Sequence, residues 1–189
     1  GLITDVSIKV LPEFKAGHTL TFDMTIEAAL EAMLKWANLS LPITGMSHFK
    51  GLLYVRLQGG AGGVASASTF LGGEKLASKA AEIFWQAIRE GSFLQPRHDQ
   101  TLWRWSGASD TLANTVPNTS LINWAGAERW VLTEALDTPL EGLVQYQGGD
   151  RLAEVYGAIS APQQALQQRI KHAFDPHGIL NAGRLYAWM

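Results

Sequence analysis

The chain has 189 residues, enough for one domain with a sizeable core. Apolar residues make up 47% and charged residues 17%, which excludes a disordered chain, and a net charge of −2 without clustered Lys or Arg argues against nucleic acid as a partner. Cysteine is absent, which removes disulfides, thiolate chemistry, Fe–S ligation and Cys-type zinc sites. In chain order, Val6, Ile8 and Val10 alternate with polar residues and predict a strand. Leu20, Phe22 and Met24 predict a second. Thr25 is placed to cap a helix carrying Ile26, Ala29, Leu30, Met33, Leu34 and Ala37 on one stripe. Thr44–Phe49 and Leu52–Gln58 read as a hairpin turning at Lys50-Gly51. A glycine cluster, 59–63, leads into a helix of small residues that ends near Gly72-Gly73.

Ser78 opens a further helix with Ala80, Ile83, Phe84, Ala87 and Ile88 on its expected buried face. Leu102–Ser106 is a predicted strand, and 106–120 a mobile loop rich in Ser, Thr, Asn and Gly. Leu121–Trp124 and Trp130–Thr133 suggest a hairpin turning at Gly126-Ala127. Leu143–Gln147 is a last strand, 148–161 mostly loop. Pro162 suits the first turn of a closing helix with Leu166, Ile170, Ala173 and Phe174 as its stripe. The order predicts an α+β fold: an antiparallel sheet with helices on one face, opening in a ferredoxin-like β-α-β-β-α arrangement. The later strands suggest a second half of similar design, although no sequence repeat supports it.

Several motifs have a functional and a plainer reading. Gly60-x-Gly62-x-x-Ala65 matches a dinucleotide fingerprint with Ala third, but lacks a parallel βαβ frame; close helix-to-sheet packing is the commoner role. His172, Asp175 and His177 straddle a helix end and a proline, which disfavours a common metal. His98-Asp99 lacks a nucleophile elbow. In Trp103-Arg104-Trp105 the two Trp share one strand face and Arg104 takes the other. Its guanidinium fork suits a carboxylate substrate; an exposed Arg above a Trp core is the plainer alternative. Seven Trp can line a cleft or fill a core.

The chain ends in Phe174-Asp175-Pro176-His177-Gly178-Ile179-Leu180-Asn181-Ala182-Gly183-Arg184. Pro176 disfavours helix at Asp175, and Gly178 and Gly183 permit unusual backbone angles. This segment resembles the F-D-P-x-G-I-L/F-N-P-G-R/K ending of FAD-linked oxidases of the vanillyl-alcohol oxidase type, with Ala182 at the usual proline. Leu41-Pro42-Ile43-Thr44, Phe84-Trp85-x-Ala87-Ile88-Arg89 and Trp124-x-Gly126-Ala127-x-Arg129-Trp130 extend the resemblance, within that family, to the smaller flavin subunit of bacterial glycolate oxidases. Gly1-Leu2-Ile3-Thr4-Asp5-Val6 resembles the strand that closes the family's flavin-binding domain.

The resemblance implies three parts: residues 1–12 as the last strand of a truncated FAD-binding domain, 13–173 as the cap domain, and 174–189 as a flavin-contacting segment. It implies that Gly1, Leu2, Ile3, Asn181 and Arg184 contact FAD, and that a full-length subunit helps oxidise glycolate or a similar 2-hydroxy acid. Related catalytic subunits carry an H-x-H pair that this chain lacks, so the catalytic residues stay unassigned and the main catalysis is expected in a sister subunit. The expected partners are a second flavin subunit and an iron–sulfur subunit. The expected location is cytoplasmic, peripheral to the inner membrane through the complex, with no transmembrane segment. The isolated piece is expected to be inactive and to retain little FAD. The rival reading is a non-enzymatic α+β module that binds a ligand or protein through its Trp-rich sheet. Both readings expect exposed apolar surface on this piece.

Overall fold

A computed structural model describes residues 3–10, 14, 16–134, 142–149, 156 and 159–189. Gly1 and Leu2 lie outside the described residues, as do 11–13, which include the proposed boundary at 12. Residues 3–10 pair with no strand, and Ile3, Val6, Ile8 and Val10 are exposed. The predicted alternation is present there, but a ladder also needs a neighbouring strand, and among the described residues none lies beside it.

Eight strands form one antiparallel sheet: β1 (Ala16–Asp23), β2 (Ile43–Phe49), β3 (Leu52–Gly59), β4 (Glu74–Lys75), β5 (Thr101–Ser106), β6 (Thr119–Asn123), β7 (Glu128–Thr133) and β8 (Leu143–Gly148). Their order is β4-β1-β3-β2-β6-β7-β5-β8. The first four follow the ferredoxin-like order. The last four repeat it in mirror sequence, so each half reads 4-1-3-2 inward from its edge. The second half expected from the sequence is therefore present as topology.

Local chemistry fixes the first half. The Thr25 hydroxyl accepts the Ala28 N–H at 3.3 Å and starts α1 (Ile26–Ala37). Lys50 and Gly51 have φ of 51° and 81°, the double left-handed geometry that suits a two-residue hairpin. Leu20, Leu53, Val55 and Leu57 bury one sheet face against Ala29, Leu30 and Met33 of α1 and Val64 and Ala67 of α2 (Ala61–Leu71). Gly60, Gly62 and Gly63 meet open space instead of the sheet, so the close packing expected of them falls to Val64 and Ala67. The strands flanking α2, β3 and β4, each pair antiparallel with β1 and are separated by it, which leaves the dinucleotide fingerprint without a simple parallel βαβ frame.

The fold is α+β with α1 and α2 layered on one face, as expected, while α3 (Ser78–Glu90) crosses the opposite face. Its Phe84 stacks on Tyr54 at 3.8 Å, and Trp85 Nε1–H donates to the Thr19 hydroxyl at 3.0 Å. Ile83 and Ala80 turn out to be exposed; Ala81, Phe84, Trp85 and Ile88 face the sheet. Phe84 and Ile88 of the predicted stripe thus hold their places, while Trp85 and Ala81 replace Ile83 and Ala80, because Phe84 and Trp85 find partners on β3 and β1.

In the second half a loop takes the place of a helix. Residues 107–118 cover Trp105, Val131 and Leu143 with the buried Val116. Arg129, fully buried, holds that loop. Its guanidinium donates to the carbonyls of Leu112 (2.7 Å), Thr111 and Gly126 (3.4 Å), and lies 5.0 Å from the centre of the Trp105 ring. Burial pulls its pKa below the usual value, yet a guanidinium stays charged. Replacing Arg129 with Leu removes the donor from one buried and two part-buried carbonyls, and should cost about 3 kcal/mol. Urea unfolding measures this, and a loss below about 1 kcal/mol would contradict the role assigned to Arg129.

Candidate functional site

Among the described residues the strand ladder joins the two halves at His48↔Ile122 and Phe49↔Leu121. Beyond that join β2 and β6 part, because β6 ends at Asn123 and the chain turns through Trp124 and Ala125, both at positive φ. A cavity of about 760 Å³ occupies the split. Arg56, Trp85 and Arg89 bound it on one side, and Arg104, Glu128 and Trp130 on the other. Trp36, Trp124 and Tyr146 complete an aromatic rim. The tryptophans therefore serve both sequence expectations, since Trp105 is core and four others line the cleft.

Arg56 is occupied structurally. It donates to the Thr44 hydroxyl at 3.0 Å and the Thr44 carbonyl at 2.9 Å, and stacks 4.7 Å from the Trp85 ring centre. Burial, then the nearby Arg89 charge, lowers its pKa. Gly45 makes room for this stack, since a Cβ there would lie 3.3 Å from both Arg56 and Trp85. Arg104 differs. It is half-buried rather than exposed, lines the cavity, and has a buried Nε–H without a partner. The Trp130 Nε1–H opposite it on β7 is also buried and unpartnered. Glu128, two residues from Trp130 on the same face, is buried and accepts the Asn123 amide at 3.0 Å. Sequence reading found Arg104 but missed Trp130 and Glu128. The alternation of Glu128 and Trp130 across from Arg104 becomes visible only once the β5–β7 register is known.

The closing helix α4 (Ala161–Phe174) follows Ser160, whose N–H donates to the Gln163 side chain at 3.1 Å. Its expected stripe is present but uncovered: Leu166, Ile170 and Phe174 are exposed, and α4 buries none of its residues. Ile179 and Leu185 extend this apolar surface through the following turn. Both readings of the sequence anticipate such a surface. Asp175 organises the turn. Its carboxylate accepts the N–H groups of Ile179 (3.1 Å) and Leu180 (2.8 Å) and the Lys171 ammonium, which also donates to the Leu180 carbonyl. The sequence reading weighed Asp175 as a metal ligand; the Lys171-x-x-x-Asp175 spacing was the overlooked signal for an i,i+4 pair.

Asn181 sits at φ 52°, a left-handed conformation that asparagine tolerates better than most residues. Its carbonyl accepts the Arg184 N–H at 3.2 Å. The two side chains are exposed and make no hydrogen bond or ion pair among the described residues. Ile3 is also exposed. Tyr186 is buried and stacks on Trp188 at 4.8 Å.

The Lys171 ammonium, followed by the Leu180 N–H, holds the Asp175 pKa down to about 2. The folded value thus lies below the ordinary carboxylate value of about 3.9. The contribution of Asp175 is complete above about pH 4 and is lost as pH falls towards 2. Near-ultraviolet circular dichroism of the Tyr186–Trp188 stack should report turn opening across that window. In Asp175→Asn the turn should already be loosened at neutral pH, and a pH-independent signal in the parent chain would refute the assignment.

No family model matches the chain, and no solved structure matches it. It is 35% identical, over 99% of its own length, to glycolate oxidase subunit GlcE of Escherichia coli (strain K12). The chain spans 54% of that protein, so it is similar along its whole length to about half of a glycolate oxidase subunit.

Proposed function

We propose that this chain is part of the FAD-binding subunit of a complex that oxidises glycolate or a similar 2-hydroxy acid to the 2-oxo acid. The observation that carries the proposal is the 35% identity extending over 99% of the chain. The closing turn suits a flavin: an amide and a guanidinium without partners stand beside exposed Ile179 and Leu185, a mixed surface that matches the polar edge and apolar face of the ring. FAD would supply the hydride acceptor. Asn181 would hydrogen-bond the ring edge, Arg184 would favour its reduced anionic form, and Gly1, Leu2 and Ile3 would contact the cofactor from the preceding strand. Arg104 would hold the substrate carboxylate. A second flavin subunit and an iron–sulfur subunit would be the partners, in a cytoplasmic complex peripheral to the inner membrane. No helix among the described residues is long and apolar enough to cross a membrane.

The test is the protein encoded with its upstream sequence. It should purify with flavin absorbance, while residues 1–189 alone should be nearly colourless. Asn181→Ala with Arg184→Ala should lower flavin content or shift its reduction potential. A full-length protein without flavin would leave the non-enzymatic binding module as the better reading. Unchanged flavin content and potential in the double variant would make the turn purely structural.

A further inference from the structure

Arg104, Trp130 and Glu128 occupy one face of adjacent strands. Arg104 and Trp130 are directly opposed on β5 and β7, and Glu128 is the diagonal neighbour of Arg104. Such diagonal positions have Cβ atoms about 7–8 Å apart, within reach of long side chains. All three line the cavity in the split sheet. Yet Arg104 and Glu128 form no ion pair, although both are withdrawn from water. The Arg104 Nε–H and Trp130 Nε1–H are buried donors with no acceptor. Buried donors are satisfied in the great majority of cases, and an unpaired, part-buried guanidinium beside a buried carboxylate is costly. The Arg104–Trp130 end therefore presents buried donors that call for an acceptor, and the nearby Glu128 carboxylate, bonded on one oxygen by Asn123, has lone pairs left to accept a further donor.

We propose that this trio is a binding site for a 2-hydroxy acid, with Arg104 and Trp130 donating to its carboxylate and Glu128 accepting its hydroxyl proton in a hydrogen bond. This rests on the proposed function for the substrate class and adds the means of discrimination. A 2-oxo acid offers a second acceptor where the hydroxyl acid offers a donor, so Glu128 attracts the alcohol and repels the ketone. Asn123, held by Glu128, keeps the carboxylate oriented. The site therefore favours the alcohol over the ketone that its oxidation yields.

The test is ligand affinity, with no turnover. 2-Hydroxyisobutyrate has no α-hydrogen and cannot be oxidised to a ketone; isobutyrate is its deoxy counterpart, and pyruvate is a 2-oxo acid one methyl smaller. Calorimetry on the full-length protein should show 2-hydroxyisobutyrate binding at least tenfold tighter than either. Arg104→Gln should weaken 2-hydroxyisobutyrate and pyruvate alike, by tenfold or more. Trp130→Phe, which keeps an aromatic ring against Phe93 and Tyr146, should weaken both several-fold and leave their ratio unchanged. Glu128→Gln should lower the preference for hydroxy over oxo acid at least tenfold, because its amide can donate to the ketone. Thermal melting of each variant checks that it is folded. A preference unchanged in Glu128→Gln, or affinities unchanged in Arg104→Gln, overturns the inference. A flavin-free protein showing these variant effects would sink the cofactor reading alone, whereas a yellow, glycolate-oxidising protein lacking them would sink this site alone.

Discussion

A single buried cation organises the second half of the molecule. Arg129 has no carboxylate partner among the described residues; its donors meet backbone carbonyls and it lies over the face of Trp105. A guanidinium suits this role because its donors spread in a plane and can reach several chain segments at once. One set of contacts ties the 107–118 loop over the hydrophobic cluster of Trp105, Val131 and Leu143. Another reaches Gly126 in the turn after β6, the turn that carries Trp124 to the cavity rim. Core and cleft in this half therefore share one anchor. A Lys, with its single ammonium, has no way to meet carbonyls so far apart.

The two sheet faces divide the work. The face under α1 and α2 is apolar and closed, and its hydrophobic contacts supply most of the burial. The opposite face carries Tyr54, Arg56, Arg104, Glu128 and Trp130, and α3 covers only part of it. Polar groups survive there because the split admits a cavity between them, where continuous packing would have forced them to pair or be replaced. Arg56 is matched internally by Thr44 and Trp85, whereas Arg104 is not matched at all. That contrast between two arginines of similar burial separates the scaffold from the site.

Much of the first half was legible in the sequence. Period-2 and period-3.6 patterns located β1, α1, β2 and β3, and Thr25 and Lys50-Gly51 marked a cap and a turn by their chemistry. The patterns failed where burial depended on distant partners. The helix α3 turns Trp85 inward beside the expected Phe84 because Thr19 and Arg56 wait on the far face, and nothing local to α3 signals this. The loop 107–118 reads as loose because its anchoring residue lies well along the chain and on another strand. Arg104 could be suspected from its neighbours, but its two companions belong to a strand whose register no local pattern records. The alternation in residues 3–10 is an amphipathic pattern that no strand among the described residues pairs.

The narrow join between β2 and β6 gives the cleft a mechanical character. Two residue pairs and the Ser47 hydroxyl bond to the Ile122 carbonyl at 2.8 Å stitch the halves at one end of the split. At the other end α1 packs on the Trp124–Gly126 turn, and Ile88 of α3 packs with Leu121 and Trp130, so helices rather than ladder hydrogen bonds span the split. A ligand in this cleft would touch Arg56 and Trp85 of one half and Arg104 and Trp130 of the other, so its binding would be felt by both halves of the sheet at once.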